Sequence, residues 1–259
     1  MRADQPNAGM AIEGRREFEG VRSFSHEAMA TVFEVHAAHP DARYAAQAAQ
    51  AAFDLADRLE RELSRFIPNS DISRINGLAA GSTVQVGPAA MECLVIARHM
   101  FDVTDGAFDV SIGTGLPSLE LDREDCLVRA ARSGTRIDLG GIGKGYAVDL
   151  MAELLEDWGL EQALVHGGFS SVLALEAPPD LEGWPLTLSD PAAPSHILAR
   201  RRSEPPGGAR AITSWTRAQA SRHAGAARHG SSCPGRRSPD SRPARTSRRG
   251  SRRQPSPTP

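Results

Sequence analysis

Lysine is nearly absent from this 259-residue chain: of 30 basic side chains, only Lys144 is a lysine and the rest are arginine. Cysteine is scarce too. Cys93, Cys126 and Cys233 are odd in number, far apart and form no C-x-x-C pair, which argues against a disulfide framework or a zinc site. No stretch comes near the roughly 18 uninterrupted apolar residues that read as a membrane span. Met1 to Gly20 is polar and lacks the apolar segment of a signal peptide. These absences lead to the expectation of a cytoplasmic protein with no membrane span. His26 and Glu27 are adjacent, too close to face one another on a strand, so they are not read as a metal pair.

The net charge of −2 hides a division. Residues 1–198 carry fifteen basic and thirty acidic side chains, whereas residues 199–259 carry fifteen basic and two acidic ones. The second segment also holds eight prolines and almost no Val, Leu, Ile or Phe. Such a segment cannot bury enough apolar surface to offset its ordering entropy, so it is expected to be a disordered tail. Residues 1–20 are expected to be a flexible lead-in, which leaves 21–198 as the folded domain.

Within that domain, Met29 to Ala37 alternates apolar and polar residues and predicts a strand. Asp41 stands at an N-cap position, and Ala45, Ala48, Ala52, Leu55, Leu59 and Leu63 recur at helical spacing, which predicts a helix over 42–63. Asp71 to Asn76 suits one helical turn, Thr83 to Val86 a short strand, and Pro88 to about Thr104 a helix ended by Gly106. Arg136 to Leu139 is β-prone. A helix is expected from about Lys144 to Trp158, then strands at Gln162–His166 and Ser170–Glu176. No regular βαβ repeat emerges, so the fold class is α+β.

Two stretches could carry chemistry. Asp138-Leu139-Gly140-Gly141-Ile142-Gly143-Lys144-Gly145 combines an acid, glycines that admit close approach, and a helix start with unpaired N–H groups. That is a ready anion site. It is neither a P-loop, because Gly145 follows Lys144, nor a G-x-G-x-x-G, because Tyr146 stands where the last glycine belongs. A lone ammonium in an arginine-rich chain suits phosphate contact. The alternative is a tight turn whose glycines serve packing only. The other stretch, Thr104-Asp105-Gly106-Ala107-Phe108-Asp109, offers a stacking face and an acceptor, or simply a helix end.

Taken together and in order, these stretches resemble the FAD:protein FMN transferase family of the ApbE type, over roughly residues 23–195. The family's Met-Gly-Thr is similar to Met29-Ala30-Thr31. Its Leu-Ser-x-Phe and Asp-Ser-x-Ser-x-Leu-Asn resemble Leu63-Ser64-Arg65-Phe66 and Asn69 to Asn76. Its Thr-Gly-Gly-Ala-Phe-Asp resembles Thr104 to Asp109, and its Asp-Leu-Gly-Gly-Ile-x-Lys-Gly-Tyr-Ala-Val-Asp is close to Asp138–Asp149. The double glycine Gly167-Gly168 and the Ser170-Ser171, Gly183-Trp184 and Asp190-Pro191 pairs follow suit.

The resemblance implies an incomplete ApbE-like, T-fold-like core. It also implies an enzyme that moves FMN from FAD to a threonine of a partner protein, with Mg²⁺ on the diphosphate and AMP released. Met29, Phe66, Ala107, Phe108, Asp109, Asp138 and Lys144 would touch FAD, and the Gly141 carbonyl would be a metal ligand. Mg²⁺-dependent FAD hydrolysis and non-catalytic flavin binding are the alternatives on the same site. The family's later His-x-x-Asp-Pro and Asp-Ala-x-x-Thr/Ser blocks, which supply its catalytic histidine and acidic metal ligands, have no counterpart in 199–259. Only Ala211-Ile212-Thr213-Ser214 echoes a family segment there. A reading-frame shift in a GC-rich gene explains that composition better than a nucleic-acid-binding tail does. The tail has one aromatic residue, Trp215, and no nucleic-acid module.

Overall fold

Alternation along β3 (Thr31–Ala38) sends Phe33, Val35 and Ala37 into the core with no exposed surface, as period-two patterning requires. β3 is central in an antiparallel sheet of order β2-β3-β7-β8, formed with β2 (Val21–Ala28), β7 (Ala163–Gly167) and β8 (Ser171–Ala174). This computed structural model describes residues 10–12, 20–168, 170–190 and 193–202. The expectations of a flexible lead-in and a disordered tail lie almost entirely outside these residues.

The 42–63 helix forms as the spacing predicts. In α1 (Ala42–Leu63) the Asp41 carboxylate accepts from the Arg43 and Tyr44 amides at 2.8 and 3.1 Å. Its buried stripe is largely alanine, ending in Leu59 and Leu63. Small side chains let α1 lie close against α4 (Gly143–Asp157), which buries Val148, Met151 and Leu155 over the same sheet face. Each large core side chain contributes about 1.5–3 kcal/mol. α2 (Asp71–Asn76), β4 (Thr83–Gln85) and α3 (Pro88–Val103) follow the expected bounds closely.

Several elements differ from the sequence reading. The strand expected from Met29 starts at Thr31, because Met29 and Ala30 form the β2–β3 turn at φ 50° and 56°. Arg136–Leu139 does not form a strand. Leu139 opens a 3₁₀ turn, and a single side chain satisfies Ile137: the Asn76 amide donates to its carbonyl (2.9 Å) and accepts from its N–H (2.6 Å). The next residue, Asp138, donates its N–H to the Val110 carbonyl at 2.8 Å. The hairpin of β5 (Leu119–Asp122) and β6 (Leu127–Ala130), which joins β4 in a second sheet, carried no sequence signal strong enough to read. A third sheet has the order β1-β9-β10, from β1 (Met10–Ile12), β9 (Pro185–Asp190) and β10 (Ala193–Arg202), so ordered backbone continues past residue 198. Trp184 and Leu186 cover Leu164, Val172 and Ala174 in a smaller core. Cys93 is a free thiol whose burial pushes its pKa well above the ordinary value. Among the described residues all strand pairs are antiparallel, and the α+β class holds.

The double glycine ends β7 for a packing reason. A Cβ on Gly167 would lie 2.7 Å from Val148 Cγ2 and 3.0 Å from the Phe33 ring, both in the core. Gly167→Ala is therefore expected to destabilise the protein by about 1–3 kcal/mol, read as a lower thermal midpoint. An unchanged midpoint would mean that the α4–sheet contact is slack.

Candidate functional site

The Asp138–Gly145 stretch folds as an extended residue, a tight turn and a helix start. Asp138 caps a 3₁₀ turn at Leu139–Gly141 by accepting the Gly140 amide on Oδ1 at 2.9 Å. Its other oxygen pairs with Arg65 Nε at 2.9 Å. α4 then starts at Gly143 with no side-chain cap, so its leading amides have no side-chain acceptor. Lys144 is half-buried and reaches back to the Gly140 carbonyl at 3.3 Å. The turn thus brings together a cation, a helix start with no side-chain cap and glycine backbone, the features on which the expectation of an anion site rests.

Met29, Leu63, Arg65, Phe66, Asp138 and Lys144 line a cleft of about 150 Å³ at this turn. Four of the seven residues expected to touch one ligand thus converge from three separate segments. Phe66 is 77% exposed with Arg65 stacked on its ring, 4.2 Å from guanidinium carbon to centroid. Arg65 was not anticipated as a site residue, although Leu63-Ser64-Arg65-Phe66 contains it. It balances Asp138 and stiffens the Phe66 side of the cleft.

The Thr104–Asp109 motif has a structural logic of its own. The Thr104 hydroxyl donates to Met100 O (2.7 Å) and accepts from the Phe108 amide (2.9 Å), while Gly106, at φ 79°, closes α3 onto Phe101 O. Phe108 rests against Gly141, where a Cβ would be 3.4 Å from its ring, so this aromatic backs the cradle. Ala107 is exposed. Asp109 does not line the Lys144 cleft. It lines a second, open recess of about 470 Å³ with Phe101, Ser118 and Arg132. Burial alone would raise its pKa, but hydrogen bonds from the Ser111 hydroxyl and from the Ser111 and Gly113 amides outweigh that and hold it below the usual carboxylate value.

Two further motifs lie outside the cleft lining. A Cβ on Gly168 would fall 2.2 Å from Thr31 Oγ1, and the Gly168 amide donates to Val32 O, so the double glycine seats the turn that carries Met29. His26 stacks on Phe53 and pairs with Asp57 at 2.8 Å, a structural role. Among the described residues, no three His, Cys, Asp or Glu side chains come together as a metal site. Asp138 is already committed to Arg65 and the Gly140 amide. The residues described therefore do not by themselves fit a magnesium ion at the Gly141 carbonyl. Among the same residues, no helix is long and apolar enough to cross a membrane.

Comparison with known structures finds the same fold. A flavin transferase ApbE from Vibrio cholerae matches with TM-score 0.59 and 18% identity over 66% of this chain and 65% of that one. The apo form of the Pseudomonas stutzeri flavinyl transferase ApbE gives 0.61 and 20% over 71% and 66%, and an ApbE protein from Thermotoga maritima gives 0.64 and 20% over 71% and 68%. The chain thus spans about two thirds of the length of these structures, slightly less for the first. No curated protein matches it. The profile of the ApbE family matches residues 29–116 and 114–205, which takes in the cleft, the cradle, the double glycine and β10, and on that match the chain belongs to the ApbE family.

Proposed function

We propose that this chain is a flavin-binding member of the FAD:protein FMN transferases, in which the Lys144 cleft holds FAD. The reading rests on one observation above the others: Met29, Phe66, Asp138 and Lys144 meet at the uncapped start of α4. In this reading Lys144 and the α4 amides meet the diphosphate, Phe66 lies against a ring, and Asp138 keeps the turn in shape. The reaction of this family, on this reading, transfers FMN from FAD to a threonine hydroxyl of an acceptor protein and releases AMP. Magnesium would belong to it as the ion on the diphosphate, with the Gly141 carbonyl as the ligand that the family resemblance implies. Non-catalytic flavin binding is the second reading, favoured by the absence of the later family blocks from 199–259.

The test is a titration of the purified protein with FAD, followed by flavin fluorescence, alongside Mg²⁺-dependent AMP release. Saturable FAD binding without AMP release points to the non-catalytic form, and AMP release without an acceptor to the hydrolase. Steeply salt-dependent DNA binding with no FAD binding would contradict the reading altogether.

A further inference from the structure

Arg65 joins the two walls of the Lys144 cleft. Its guanidinium carbon lies 4.2 Å from the centroid of the Phe66 ring, and its Nε reaches Asp138 Oδ2 at 2.9 Å. Phe66 follows the end of α1, whereas Asp138 caps the turn that leads into α4. One cation thus covers a face of the aromatic residue and closes onto the glycine turn. The Arg65 side chain is 45% exposed and that of Asp138 35%, so the pair stands at the mouth and is not sealed in the core.

The cleft that remains holds about 150 Å³. Sites that enclose a drug-sized molecule run from roughly 300 Å³ upward, and FAD is larger still. A cleft of this size does not admit a fused three-ring system beside the guanidinium. Opening it breaks an ion pair and a cation–π contact, each modest at a half-exposed site. Asp138 need not move when Arg65 leaves, because its Oδ1 still takes the Gly140 amide at 2.9 Å and the turn keeps its cap. The freed guanidinium has five donors and no acceptor. What can replace the carboxylate is another oxyanion, and a phosphate does so bidentately. Lys144 lines the same cleft as Asp138, so a phosphate held there arrives beside the group it would displace.

We propose that Arg65 is a charge-operated latch that selects phosphorylated flavins: a ligand phosphate takes the guanidinium over from Asp138, and only then is the cleft clear for the ring. The proposal rests on the flavin reading above. A flavin without phosphate offers no such exchange, so it bears the whole cost of opening. Lys144 favours phosphate by attraction, and Arg65 adds discrimination by shutting out the unphosphorylated ring.

The experiment titrates the full chain with FAD and with riboflavin, which carries the same ring and no phosphate, and follows flavin fluorescence. Arg65→Met keeps an apolar stem and removes the charge. It should bind riboflavin about threefold to twentyfold more tightly than wild type, the combined scale of the two contacts. FAD affinity should move by less than about threefold, since the variant loses the cost of opening and the phosphate contact together. A gain of riboflavin binding is not what a damaged protein gives. Wild type carries a second readout. Raising the salt from about 0.05 M to about 0.5 M screens a half-exposed pair, so riboflavin should bind more tightly and FAD more weakly. That comparison reports even where the variant folds poorly. Riboflavin bound no more tightly by Arg65→Met, or by wild type at high salt, overturns the latch alone. Failure of both flavins to bind wild type overturns the flavin reading with it.

Discussion

Incubated with FAD, Mg²⁺ and a threonine-bearing acceptor protein, this chain is expected to leave no covalent flavin on the acceptor above background, read as in-gel fluorescence after denaturation. Diphosphate cleavage depends on an ion fixed against both phosphates and on a group that takes the proton from the attacking hydroxyl. Among the described residues, the acids that line the cleft are Glu60 and Asp138. These acids form no metal cluster, Asp138 is held by Arg65 and the Gly140 amide, and His36 and His166 lie on the sheet near Glu34, outside the cleft lining. Burial, ahead of the opposing pull of Glu34, holds the His36 pKa below its usual value. The sequence from 199 to 259 carries neither of the later family blocks. Loss of a general base alone costs about 10²–10⁴-fold in rate, and groups that act as a unit are not replaced by those that remain. Robust labelling would show that this chain completes the site by other residues.

Asn76→Ala is expected to be the most damaging single change near the cradle. The Asn76 side chain provides both partners of the Ile137 backbone, and Ile137 is 1% exposed. Removing it strands a buried N–H and a buried C=O, at about 1–3 kcal/mol each, for a total of about 2–6 kcal/mol. For a domain of this size that lowers the thermal midpoint by roughly 4–24 °C. The same change frees the residue before Asp138, so FAD affinity should fall as well. Asn76→Asp, which keeps the acceptor and loses the donor, should lie between. A midpoint unmoved by Asn76→Ala would show that water or a backbone shift satisfies Ile137 and that the turn is not pinned from α2.

Much of this was legible in the residues. Asp41 and the alanine–leucine spacing delimit α1 to the residue, and the glycine–lysine turn lies where its composition predicts an anion cradle. What escaped the reading depends on partners far away in sequence. Arg136–Leu139 has strand-like residues, but its neighbour is the side chain of Asn76, so no ladder forms. Met29 and Ala30 look like strand residues and turn instead, because Gly168 leaves room for Thr31 beneath them. Asp109 was grouped with Lys144, yet its hydrogen bonds go to its own loop and it borders another recess. Arg65 carries no local signal, since its place in the cleft depends on Asp138, far away in sequence.

The central claim is that Lys144 and the α4 start hold the FAD diphosphate, and a titration of wild type and Lys144→Ala with FAD tests it most directly. A charged contact to phosphate contributes about 1.5–3 kcal/mol, so the variant should bind about 10–150-fold more weakly at an unchanged thermal midpoint. Equal affinity in the two proteins would contradict the account.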